Sequence, residues 1–288
     1  MAADAPLTTD ALRFTLYNRF LKGEAKVPQM PENALRIRSL LDDPRTSVEQ
    51  LSRVITSDPP LAAYLMQFAD SPLLTSAKPC HNLRDVLARL GTQKLNNLVL
   101  GFSARNLFIS KELPLQRVFR ARWKTALERA AFSACLAARS ALCSVDDALL
   151  AGLLQDIGSL PLLAELERWP NYSRAEDDLQ ALCDQLSGPI GAVVLTAWKQ
   201  PSGMIDVARH RTDWQRTAAA ASLADLVQVA SLLRQDALPA EELAASPALL
   251  RLFPNLPAPL RFDQELRTQL LDEAAFWLKL LGVKSRGA

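Results

Sequence analysis

Ala151-Gly152-Leu153-Leu154-Gln155-Asp156-Ile157-Gly158 is the stretch on which the reading of this chain turns. Leu149, Leu150, Leu153 and Leu154 recur at helical spacing behind Asp146-Asp147, and the run breaks at Gly158 before a further apolar segment opens at Leu160. The local structure this predicts is two apolar helices joined by a turn that carries one carboxylate. In that turn Asp156 is placed to cap the helix at Leu160, by accepting from the backbone N–H groups near Gly158 and Ser159.

The same punctuation repeats on both sides. Upstream, an alanine-rich stretch from about Leu115 to Leu142 reads as one long helix whose small residues allow close packing. Before it, Ser47 with Gln50 forms a capping box, Asp58-Pro59 supplies an N-cap with proline at the first helical position, and Asn82 caps a helix that stops at Gly91. Downstream, Ser173 with Glu176 predicts another capping box, Gly188-Pro189 and Pro201 predict breaks, and a second long helix is expected over about Trp214 to Gln235. A last helix, capped by Asp263, carries a stripe of Leu266, Leu270, Ala274, Leu278 and Leu281 that needs cover.

No segment reads as a strand. Leu and Ala dominate and only 10 of 288 residues are glycine, a composition that suits helices. The expected fold is therefore all-α: an N-terminal helix over 1–26, helical sub-domains over 27–114 and 115–236 packed together, and a proline-containing connection with a C-terminal helix over 237–288.

Charge and inventory exclude several function classes. With 33 basic and 31 acidic residues the net charge is +2, which provides no global field for nucleic acid or an anionic membrane. Arg117, Arg120, Arg122, Lys124 and Arg129 form the densest basic stretch, but helical spacing puts Arg117, Arg120 and Lys124 on one face and Arg122 and Arg129 on another. The best apolar run, Ala218 to Leu233, carries Asp225, and neither a bilayer span nor a signal peptide is visible, so a cytoplasmic location is expected. Cys80, Cys135, Cys143 and Cys183 form no Cys-x-x-Cys pair and read as reduced thiols. The two histidines, His81 and His210, are too few for a histidine-rich metal centre; His81 reads as a turn residue, and His210 either packs in the ordinary way or lines a remnant pocket with Trp198 and Trp214.

The Gly152 to Gly158 segment resembles the Gly-Leu-Leu-His-Asp-Ile-Gly motif of HD-type phosphohydrolases, whose His-Asp pair, an earlier His and a later Asp hold divalent metal. In this sequence Gln155 stands at the paired histidine, Thr125 (after Trp123-Lys124) at the earlier one, and Asp225 at the later aspartate. An amide is a poor ligand for transition metals. Further motifs resemble the HDOD family, the HD-related output domains of bacterial signalling proteins: Val27-Pro28-Gln29-Met30-Pro31, Ser57-Asp58-Pro59-Pro60-Leu61, Phe68-Ala69-Asp70-Ser71-Pro72, Asp85 to Gly91, and Gly191 with Trp198 and Pro201. Many members carry a His-His pair further on, where this chain has His210-Arg211. The resemblance implies a degenerate HD-like bundle, partners among bacterial signalling proteins including those of cyclic-dinucleotide pathways, and action through protein–protein contact. With Thr125, Gln155, Asp156 and Asp225 as vestigial positions, no metal, other cofactor or catalysis is expected. The alternative is a residual metal-dependent phosphohydrolase built on Asp156 and Asp225.

Overall fold

The computed structural model describes residues 9–69, 71, 74, 80–107, 110–234, 245–254 and 264–281. Among them the chain is all-α, with α1 (Thr9–Leu21), α2 (Glu32–Asp42), α3 (Val48–Thr56), α4 (Pro59–Met66), α5 (Leu83–Ala104), α6 (Leu113–Ser140), α7 (Val145–Leu154), α8 (Ser159–Leu166), α9 (Glu176–Ala197), α10 (Ser202–Arg209), α11 (Leu223–Leu233), α12 (Pro247–Leu252) and α13 (Gln264–Leu280).

Local chemistry sets the early boundaries as expected. The Ser47 hydroxyl accepts from the Gln50 N–H at 3.2 Å, while the Gln50 amide oxygen accepts from the Ser47 N–H at 2.7 Å. Asp58 accepts from the Leu61 N–H, and Asn82 from the Asp85 N–H. Gly91, at φ 72°, reverses the backbone inside α5 and separates its two helical segments, a conformation that favours glycine. Asp70 and Pro72, Asp263, and the side chain of Leu266 lie outside the described residues.

Three boundaries differ from expectation. α9 begins after Ala175 with no side-chain cap: the Ser173 hydroxyl accepts from the Ala175 N–H, and Glu176 reaches across to Arg117. It also runs straight through Gly188-Pro189. The proline's lost hydrogen bond is tolerated there because both ends of the helix are packed, and packing overrides local preference. α11 covers only Leu223–Leu233, so Asp225 is its third residue and not a mid-helix one. Its carboxylate accepts from the Ser222 N–H and hydroxyl at 2.8 Å each, which starts the helix there.

α6 is the spine. α7, α9, α11 and α13 all pack on it. Its contact with α7 is very close: a Cβ on Gly152 would lie 2.7 Å from the Ala130 Cα. One apolar cluster runs from α2–α5 through α6, α7 and α11 to α12 and α13; a second joins Leu12, Leu16 and Phe20 of α1 to Leu115, Leu162, Leu166 and Leu179. Val145–Leu166 is apolar and long enough to cross a bilayer by composition, yet it is α7, a turn and α8, and 94% of that apolar window is buried inside the protein. In α13, Leu270, Ala274, Trp277, Leu280 and Leu281 are buried, Leu278 is partly covered, and Glu273 pairs with Arg139 of α6.

Candidate functional site

Arg122, Thr125 and Arg129 sit at i, i+3 and i+7 on one face of α6, the spacing that stacks side chains on successive turns. The α7–α8 turn presents Asp156 to this face. α9 adds Gln180, Asp184 and Ser187, the segment after α10 adds Arg211, and the end of α11 adds Arg234. The turn can approach so closely because a Cβ on Gly158 would collide with the Ser187 carbonyl and the Gly191 backbone.

Asp156 does not cap α8. The turn is closed by backbone bonds, Ile157 N–H to the Leu154 carbonyl and Ser159 N–H to the Asp156 carbonyl. The carboxylate instead faces α6 and α9. Arg122 donates to both of its oxygens, Nε at 2.7 Å and Nη2 at 3.0 Å, and the Ser187 hydroxyl donates at 2.6 Å. The Arg211 Nε stands 3.5 Å away. A guanidinium is a stronger donor to a carboxylate than a backbone amide, and two-pronged binding fixes its orientation. Burial alone would raise the Asp156 carboxyl. Arg211, Arg122 and the Ser187 hydroxyl outweigh it and hold the group well below the usual carboxylate range.

The remaining sequence candidates separate. Thr125 shares a cleft of ≈ 220 Å³ with Asp156, Arg129 and Arg234. Gln155, which precedes Asp156 in the chain, does not line that cleft; it is buried, its amide nitrogen without a partner among the described residues. Asp225 is held elsewhere, fully buried between Arg216 and Arg251. It lies nine residues before Arg234, about 13 Å along α11, and does not line the cleft. Trp198 is a structural clamp: its indole N–H donates to the Pro28 carbonyl, and its own carbonyl accepts from Arg38. His210 ends α10, half-buried, with a ring nitrogen 3.4 Å from Asp213. Neither Trp198 nor His210 lines this cleft. A larger groove of ≈ 620 Å³ lies between the Lys26–Gln29 segment and α8, lined by Lys26, Glu165, Glu167 and Arg168 with apolar residues, and it contains none of the HD-like positions.

A divalent metal does not fit the Asp156 centre. Both carboxylate oxygens are taken, the nearest charges are guanidiniums, and Thr125 and Gln155 offer a hydroxyl and an amide where imidazoles would be needed. No cluster of three or more His, Cys, Asp or Glu side chains suited to a metal exists among the described residues. Burial pushes the Cys135 and Cys183 thiols up to about 12 and Cys143 to about 11, so none is a ready nucleophile.

The arginines were the part missed from the sequence. Arg122 and Arg129 bracket Thr125 on its own helix face, and Arg211 follows His210 where many relatives have a second histidine. Together those two positions could have indicated cations in place of metal ligands.

The bundle and its altered centre define an HD-like helical protein. The chain belongs to the HDOD family, whose domain model matches residues 27–214. A Treponema pallidum (strain Nichols) protein, itself uncharacterized, is 21% identical over 196 residues, 64% of this chain and 37% of its own length. This chain thus spans little more than a third of that relative. A Shewanella amazonensis SB2B structure, provisionally described as a metal-dependent phosphohydrolase, has a TM-score of 0.75 at 23% identity, covering 92% of this chain and 98% of its own. A Geobacter sulfurreducens HDOD domain protein of unknown function gives 0.62 at 19%, covering 93% and 98%. A Marinobacter aquaeolei VT8 structure, provisionally described as a signal transduction protein, gives 0.59 at 22%, covering 96% and 67%. At these identities the likeness shows the fold.

Proposed function

We propose that this chain is a non-catalytic signalling or regulatory module that acts by binding other proteins. The observation that carries the reading is the neutralisation of Asp156 by Arg122, with Arg211 beside it. A metal-dependent hydrolase uses such a carboxylate to hold a cation that polarises phosphate and activates water. Arg122 has no coordination site to offer a water, and its donors are already engaged by Asp156, Gln180 and Asp184. Membership of the HDOD family and the Marinobacter neighbour support a place in signal transduction; signalling proteins as partners and the cytoplasm as the compartment belong to the same proposal.

The test is a phosphatase and phosphodiesterase screen with added Mn or Mg, alongside elemental analysis of chelator-free protein. The expected result is no turnover and no stoichiometric transition metal. Hydrolysis that Asp156→Ala abolishes in a folded protein would establish instead the residual phosphohydrolase reading, which the Shewanella neighbour's description favours.

A further inference from the structure

The cleft beside Asp156 holds more positive charge than its own carboxylates can balance. Arg122, Arg129 and Arg234 line it with Asp156 and Asp184, while Arg211 and Glu128 pair with these groups from outside the lining. Lys124, at 3.9 Å, shares Glu128 with Arg234. Arg122 is saturated by Asp156, Gln180 and Asp184. Arg129 is the surplus cation. It lines the cleft, its Nε is buried without a hydrogen-bond partner, and no ion pair to it occurs among the described residues. The Nε of Arg234 is likewise buried and unbonded. Burial, with the repulsion of Arg211, Arg234 and Arg122, outweighs the attraction of Asp156 and pushes Arg129 down to about 10. Buried donors left open in this way call for an acceptor.

We propose that this cleft binds a small phosphate monoester, of the size of a nucleoside monophosphate, through its phosphoryl group. Guanidinium forks match phosphate oxygens, and a monoester's charge of about −2 suits the surplus. Arg129 and Thr125 line the cleft from α6 and Arg234 from the end of α11, so the ligand's phosphoryl oxygens would accept from two helices. The volume of ≈ 220 Å³ is below the roughly 300–1,000 Å³ of a pocket that engulfs a whole drug-sized ligand. It therefore takes the phosphoryl head, while the remainder of the ligand lies outward past Asp184, whose side chain is 60% exposed.

Isothermal titration of the full chain with inorganic phosphate, AMP and adenosine, in phosphate-free buffer, tests this. Phosphate and AMP should bind and adenosine should not. Arg129→Gln should weaken AMP at least about tenfold, the scale of a lost charged hydrogen bond, without lowering thermal stability, since it relieves like-charge repulsion. Arg129→Lys, which keeps charge but loses the fork, should fall between and serves if the glutamine variant misfolds. Arg117→Gln, on the other face of α6, should bind as wild type. Absence of AMP binding at millimolar concentration, equal binding of adenosine, or undiminished binding by both Arg129 variants would overturn the proposal. Binding is read without turnover, so its failure is distinct from failure of the non-catalytic reading.

Discussion

Removing the Asp156 carboxylate should destabilise the protein far more than loss of a helix cap would. In Asp156→Ala the guanidiniums of Arg122 and Arg211, whose side chains are 8% and 3% exposed, lose their buried counter-charge. Ser187 loses its acceptor. Breaking a buried pair by deleting one partner costs about 3–5 kcal/mol, against about 0.5–2 for a cap. Asp184 still touches both arginines, at 3.0 and 3.1 Å, but it is largely in solvent and compensates weakly. With a urea m-value near 3 kcal/mol/M, the midpoint should fall by about 1–1.7 M. The double variant Asp156→Ala with Arg122→Met should recover part of that loss, because an apolar replacement of a buried pair is often neutral. A single-variant shift under about 0.5 M, or a double variant that is simply additive, would refute the electrostatic argument and return Asp156 to the role of a cap.

Acid should act through the same groups. Asp156 and Asp225 are both depressed in the folded state, so their stabilisation is complete above the unfolded carboxyl value of about 3.9 and is lost as pH falls through the lower folded values; equilibrium unfolding should show stability eroding below about pH 4, with a smaller slope in Asp156→Ala. Gly158→Ala, whose new methyl would meet the Ser187 carbonyl, should cost about 1–3 kcal/mol or more by overpacking, read as a lowered Tm. Deleting residues 264–288 should remove the buried Leu270, Trp277 and Leu280 and uncover the face of α6 they pack on, at about 1.5–3 kcal/mol for each large side chain; an unchanged Tm and solubility would contradict the docking of α13.

How much of this was legible in the sequence depended on the range of the interaction that decides it. Ser47 with Gln50, Asp58-Pro59, Asn82 and Gly91 are decided within four residues, and each performs as its pattern predicts. Ser173 with Glu176 has the same local pattern and fails, because Glu176 finds Arg117, a partner 59 residues away in sequence. The motif located the Gln155-Asp156 pair, and the loss of its histidine was visible at once. What the carboxylate binds was not. Arg122 comes from 34 residues upstream and Arg211 from beyond α10, and no local pattern predicts which of 33 basic residues is turned inward. The outward face of α6, with Arg117 and Lys124 paired to exposed or half-buried acids, is composed of the same residue types.

The substitution pattern has a single electrostatic logic. A buried aspartate between apolar helices needs a cation within hydrogen-bond reach, because burying it unpaired costs several kcal/mol. In a metal-dependent enzyme that cation is exchangeable and keeps coordination sites for substrate and water. Here it is covalently part of α6, so Asp156 has its counter-charge whatever ions are present. Once Arg122 fills that role for Asp156, the remaining guanidiniums have different consequences by position. Arg211 shares Asp156 and Asp184 and is nearly enclosed. Arg129 and Arg234 line the open side with unbonded Nε atoms. A centre that needed only to fold would gain little from the Arg129 cation, since no hydrogen bond or ion pair to it occurs among the described residues, whereas Arg234 has Glu128. The place of Arg129 in the cleft is accounted for if the acceptor its Nε lacks arrives from solution.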